Sequence, residues 1–302
     1  MKSLSFLPRI VVVSVAALAA CTSTTEKSEP PLLQDTEHGE ATEPAPPPPT
    51  EIVGEEVSYS AGDVTMKGYL AYNKLQKGER LGVLVVHEWW GHNEYARKRA
   101  RMLAEMGYTA LAVDMYGDGK QAEHPKDAQK FASQVMGNIE ITKARFLAAA
   151  QVLENHPTTK AKKIAAIGYC FGGGVVLHMA RISFEIGRSH DLVLAGVASF
   201  HGSLDTKKPA GRGEIRSEIL VLNGEADPMV KPEAIEAFKK EMYEAGAKTN
   251  VISYPGALHA FTNPDADALG KKFDLPLAYD EEADKDSWGQ LTYFLNELAS
   301  SP

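Results

Sequence analysis

Ile164-Ala-Ala-Ile-Gly168-Tyr169-Cys170-Phe171-Gly172-Gly173-Gly174 reads as a buried strand that runs into a sharp turn and then a helix. Its first part is an unbroken apolar run, the pattern of a strand covered on both faces. Gly168 and Gly172 flank Cys170 at two residues on either side, removing the Cβ atoms that would collide in so tight a turn. The pattern is that of a nucleophile elbow with cysteine in the serine position. A helix N-terminus below the sulfur favours the thiolate by about 0.3–1 kcal/mol. An inert, buried cysteine at a glycine-rich turn would carry the same letters, so the choice depends on what the rest of the chain brings to it.

Working outward, further apolar runs occupy residues 82–87, 109–114, 192–200, 219–223 and 250–254. Segments of helical periodicity alternate with them at 94–106, 125–136, 139–155, 171–181, 232–245 and 281–298. Pro232 suits a first helical turn, and Gly246 suits the residue after a helix end. Two strand-like stretches, 55–60 and 64–73, precede the alternation. Strand and helix taking turns predicts an α/β fold: a mostly parallel central sheet with helices on both faces and functional groups at the carboxyl ends of the strands.

Where such an elbow carries a triad, an acid and then a histidine follow the nucleophile. Asp227 lies in Asn223-Gly-Glu-Ala-Asp227-Pro-Met-Val230, just past one apolar run, and His259 lies in Pro255-Gly-Ala-Leu-His259-Ala-Phe261, just past the next. Glu225 is a rival acid, closer to the strand end. A turn-forming aspartate before proline is the structural alternative for Asp227. His87 and His92 precede the nucleophile, and His124, His156, His178 and His190 have no strand-end setting with glycine support. His201 ends an apolar run but comes before Asp227, so it is expected to line the substrate pocket.

Val86-His87-Glu88-Trp89-Trp90-Gly91, Asp114-Met-Tyr-Gly117, Gly168-Tyr-Cys-Phe-Gly-Gly173, the Asp227 loop and Gly256-Ala-Leu-His-Ala-Phe261 together resemble the dienelactone hydrolase family. The resemblance spans about residues 57–298. It implies an α/β-hydrolase fold, hydrolysis of esters or lactones by a Cys170, His259, Asp227 triad, and no metal or organic cofactor. It further implies that Glu88 interacts with the resting thiol and helps generate the thiolate. The Trp89 and Phe171 amides would form the oxyanion hole, with Trp90, Tyr116 and Phe261 joining His201 around the pocket. A structural carboxylate paired with arginine is the other reading of Glu88. Two arginines hold the substrate carboxylate in dienelactone hydrolases proper, and here those places read Asp118 and Asn263. A substrate other than a dienelactone is therefore expected, with Lys120 or Arg97 able to substitute from nearby loops. A tethered binding protein that has kept the pocket and lost activity is the alternative.

With 302 residues, 44% of them hydrophobic, the chain can bury a large core, and its net charge of −8 offers nothing to a nucleic acid backbone. Its two cysteines, Cys21 and Cys170, fit neither a disulfide framework nor a zinc-binding spacing. Lys2 and Arg9 precede an apolar run at 10–20 that is too short to span a bilayer. The run ends in Leu18-Ala-Ala-Cys21, similar to the lipobox of bacterial lipoproteins, so residues 1–21 are expected to be a signal segment cleaved to leave lipidated Cys21. Cleavage without lipidation is the alternative. Residues 22–50 are rich in proline and glutamate and too poor in apolar groups to fold. As a disordered tether they would reach roughly 30 Å as a coil and about 90 Å if extended. The hydrolase domain would then be 51–302, exported and held at a membrane by lipid alone, with a small ester or lactone as its partner. No sequence signal specifies an oligomeric state.

Overall fold

A computed structural model describes residues 50–301; the expected signal segment, Cys21 and the tether as far as residue 49 lie outside them. The chain runs β1 (Ile52–Ala61), β2 (Val64–Asn73), β3 (Arg80–Val86), α1 (Glu94–Glu105), β4 (Thr109–Val113), α2 (Pro125–Met136) and α3 (Ile139–Glu154). It continues through β5 (Thr159–Tyr169), α4 (Phe171–Arg181), α5 (Ser183–His190), β6 (Val193–Phe200), β7 (Glu218–Gly224), α6 (Pro232–Ala245), β8 (Thr249–Tyr254), α7 (Ala266–Phe273) and α8 (Glu281–Ser300).

The described strands form one sheet in the order β1-β2-β4-β3-β5-β6-β7-β8. The β1–β2 hairpin and the β2–β4 pair are antiparallel. Every pair from β4 to β8 is parallel. Parallel strands need crossovers, and the intervening helices cover both faces of the sheet. Leu84, Val86, Leu111, Ile164 and Ala166 point to one side, packing with Phe146, Val175 and Phe238 from α3, α4 and α6. Val83, Val85, Ala110, Ala165 and Ile167 point to the other, packing with Ala96, Leu103, Leu291 and Leu295 from α1 and α8. Each fully buried Val, Leu, Ile or Phe among them contributes roughly 1.5–3 kcal/mol. Two amphipathic layers on a sheet that is apolar throughout are what the unbroken runs require.

Local signals set the helix ends. The Asn93, Asn138 and Asp280 side chains accept from the first-turn amides of α1, α3 and α8. Pro232 opens α6, and Gly246 closes it in the left-handed region at φ +73°. The short helices α5 and α7 were not expected from periodicity.

The strand register decides where function can sit. Val86 pairs with Gly168, Tyr169 with Phe200, Phe200 with Leu222, and Gly224 with Tyr254. The carboxyl ends of β3, β5, β6, β7 and β8 therefore end level, and the loops carrying Glu88, Cys170, His201, Asp227 and His259 leave the sheet side by side.

Candidate active site

Cys170 occupies the single residue between β5 and α4, with φ +51° and ψ −113°. A non-glycine side chain held there costs on the order of 1–3 kcal/mol. The packing leaves no room to relax. A Cβ on Gly168 would run into the carbonyl of Gly172, and one on Gly172 into the carbonyl of Val86. The Cys170 amide donates to Phe200 O at 3.0 Å and to His201 Nδ1 at 3.1 Å.

His259 Nδ1 and Asp227 Oδ2 are 2.7 Å apart, with both residues almost fully buried. Asp227 Oδ1 accepts from the Met229 amide at 2.7 Å, which fixes the carboxylate plane. Nδ1 carries the proton given to Asp227, so Nε2 is the free nitrogen of His259. It is buried and makes no well-formed hydrogen bond among the described residues. Burial alone would depress the imidazolium; the neighbouring Cys170 sulfur and Asp227 outweigh it and push the His259 pKa up to about 10. Glu225, the rival acid, is solvent-exposed, and its side chain makes no bond to His259.

Glu88 is 3% exposed. Its Oε2 accepts from Asn263 Nδ2 at 2.7 Å. Burial raises its pKa to about 7, against the Asn263 bond and the charges of His259 and Arg99, which pull it down. The carboxyl is thus poised between forms near neutrality. Its hydrogen-bond partner is an amide, not an arginine and not the thiol.

The Trp89 and Phe171 amides donate to no acceptor among the described residues, and the Trp89 carbonyl is held by the Tyr116 hydroxyl at 2.9 Å. Trp90 borders a cavity of about 430 Å³ with Asn263, Leu269 and Phe273. Tyr116 borders another of about 300 Å³ with Lys120, Lys130, Phe131 and Arg145. The expectation that His201 and Phe261 line the pocket is corrected: both are 0% exposed. Phe261 packs edge-on against His201 at 5.3 Å in the core beneath the site. His201 is bonded at both ring nitrogens. At the two places where arginine was missed in the sequence, Asp118 pairs with Lys120 at 3.1 Å and Asn263 holds Glu88. Arg97 is engaged by Glu56 at 2.5 Å.

The sequence reading missed Asn263 as the partner of Glu88, Thr262 as the partner of His201, and the cavity wall supplied by α7. Only the first had a signal: a polar residue four positions after His259, where a cation was expected. No group of three or more His, Cys, Asp or Glu among the described residues is placed to hold a metal ion.

The dienelactone hydrolase family model matches residues 66–299. The chain belongs to the dienelactone hydrolase family. That makes it a member of the α/β-hydrolase superfamily and of a family of hydrolases. Among solved structures it is similar to m3DLH, at 33% identity and a TM-score of 0.75, with 82% of this chain and 99% of that one covered. It is similar also to a dienelactone hydrolase-like promiscuous phosphotriesterase from metagenomic libraries, at 32% identity and a TM-score of 0.74, covering 82% and 98%. "Protein usf" of Aquifex pyrophilus is 28% identical over 249 residues, 81% of this chain and 99% of the relative.

Proposed function

We propose that the chain hydrolyses carboxylic esters or lactones, with Cys170 as nucleophile, His259 as general base and acid, and Asp227 as the group that orients His259. The observation that carries the reading is the 2.7 Å bond from His259 to buried Asp227, which leaves Nε2 to the sulfur at the strained strand end. His259 takes the thiol proton from Cys170. The thiolate attacks the carbonyl carbon, and the oxygen that gains the electron pair is held by the Trp89 and Phe171 amides, each donor of this kind contributing about 3 kcal/mol. The intermediate collapses, the C–O bond breaks, and His259 protonates the departing alkoxide. Water then gives its proton to His259 and attacks the thioester; the carboxylic acid leaves and the thiolate returns. Glu88, with a pKa near neutrality, acts as a second proton-holding group beside this pair.

A thiolate is both a good nucleophile and a good leaving group, so activated esters and lactones are favoured over peptides. Asp118 and Asn263 supply no fixed positive charge, which argues against a substrate that depends on its carboxylate for binding. The test is a panel of nitrophenyl esters, lactones and unactivated peptides turned over by wild type, Cys170→Ser and His259→Asn. Ester turnover above peptide turnover, lost in both variants, supports the reading. Slow alkylation of Cys170 at neutral pH together with no ester turnover would instead fit a binding protein.

We further propose that the chain is exported and anchored by lipid on Cys21. Radiolabelled palmitate retained by wild type and absent from Cys21→Ala is the expected result, and label in both refutes it.

A further inference from the structure

His201 stands behind the elbow in a setting that pocket lining does not explain. It follows β6 in the left-handed region at φ +41°, and its backbone amide is tied to Leu222 O at 2.8 Å. Nδ1 lies 3.1 Å from the Cys170 amide nitrogen. That contact requires Nδ1 to be an acceptor, so the ring proton sits on Nε2, which donates to Thr262 Oγ1 at 2.9 Å. Thr262 Oγ1 is 2.7 Å from the Tyr95 hydroxyl, and Arg99 donates to that hydroxyl at 3.3 Å and to Thr262 O at 2.7 Å. Arg99 itself is anchored by Asp284 of α8 at 2.6 Å. The His201 ring also meets the His259 ring edge-on, with centroids 5.1 Å apart. One buried ring therefore touches the nucleophile's backbone on one side and the imidazole of the triad on the other.

We propose that His201 is a positioning residue for hydrolysis: a neutral imidazole, protonated at Nε2, that pins the Cys170 backbone from behind and backs the His259 ring. The proposal rests on the reading of Cys170 and His259 as nucleophile and base. The Cys170 amide fixes the tautomer, because reversing it would set two N–H groups against each other, and Thr262, held by Tyr95 and Arg99, receives the Nε2 proton. Burial, followed by the charges of His259 and Arg99, holds the ring neutral. Histidine is also among the few residue types that accept the left-handed backbone here. The consequence is on the direction of the sulfur, since a small rotation of the Cys170 backbone swings Sγ away from both substrate and Nε2 of His259.

The test uses the full chain, with kinetics on a nitrophenyl ester, the pH profile of Cys170 alkylation by iodoacetamide, and the melting temperature. His201→Leu nearly keeps the side-chain volume and His201→Asn reduces it, but only Asn keeps an acceptor near where Nδ1 stood, so a better rate in Asn cannot come from filling space. Thr262→Val removes the partner of Nε2 without touching the backbone at 201. The expected result is a fall of about 100-fold in kcat for His201→Leu with KM held within about threefold, a displaced alkylation profile, and recovery of at least about tenfold in His201→Asn. Thr262→Val should lose about tenfold in kcat. Equal losses in Leu and Asn, with the alkylation profile unmoved, overturn the proposal and leave His201 a packing residue. If His201→Leu does not fold, wild-type kcat in both His201→Asn and Thr262→Val supports no positioning role and overturns it. Failure of the underlying reading looks different: Cys170→Ala would keep the wild-type ester rate, and the proposal falls with it.

Discussion

Replacing Glu88 by Gln should remove a specific slope from the pH dependence of stability. Gln keeps the size of the side chain and an oxygen for Asn263 to donate to, so the change is confined to titration. Burial raises the carboxyl pKa from 4.5 to about 7. Below the lower value both folded and unfolded chains hold the proton, and above the upper value neither does. Between them the folded state binds a proton that the unfolded state has lost, so stability is present at the acid end and is lost as the pH rises to about 7. A shift of that size corresponds to about 3 kcal/mol, at roughly 1.4 kcal/mol per unit. Buried His87 and His92, with pKa values lowered to about 4 and about 3, act in the opposite sense in acid, losing their stabilisation as the pH falls below 6.5. They are common to both proteins and cancel in the difference. Urea unfolding across this range should therefore show the stability of wild type relative to Glu88→Gln dropping by about 3 kcal/mol from the acid to the neutral end. A difference that stays flat within about 0.5 kcal/mol, or grows as the pH rises, would refute a buried, proton-holding Glu88.

Asn263→Leu takes the one hydrogen bond from that carboxyl, so the same inflection should move above 7, while Asn263→Arg should move it down and improve turnover of esters bearing a carboxylate; pH–stability and pH–rate profiles check both. Asp227→Asn should lower kcat by at least about 100-fold with KM little changed, because Nδ1 of His259 loses the acceptor that fixes its tautomer. An unchanged kcat would remove Asp227 from the triad. Arg181→Met strands the half-buried Glu241 carboxylate, which Arg181 grips through Nε at 2.8 Å and Nη2 at 2.9 Å. A loss of about 1–3 kcal/mol is expected, with most of it recovered in the double variant Arg181→Met, Glu241→Leu, as measured by urea unfolding.

The sheet was legible because its parallel strands are covered on both faces, which leaves unbroken apolar runs, and because the long helices carry Asn, Asp, Pro and Gly at their ends. Helices α5 and α7 were not: each is eight residues long, too short for periodicity to register. The order of Cys170, Asp227 and His259 and their strand-end settings could be read directly. The role of Asn263 could not, because its partner Glu88 lies 175 positions away and only folding brings the amide to the carboxyl. His201 was misjudged for a related reason. A strand-end histidine looks the same in sequence whether it faces solvent or its own neighbours, and the hydrogen bonds that bury it arrive from Cys170 and Thr262.

The segment after β8 is committed at three nearly adjacent points: His259 to Asp227, Thr262 to His201 and Arg99, and Asn263 to Glu88. Its residues cannot drift independently, since an insertion or deletion of one position would misalign the imidazole, the tautomer lock and the carboxyl's donor together. Diversification of what this scaffold accepts must then come from surfaces that carry no such obligations. The α7 wall around Leu269 and Phe273 and the lysine-bearing turn at Lys120 are where altered selectivity can arise without dismantling the machinery underneath.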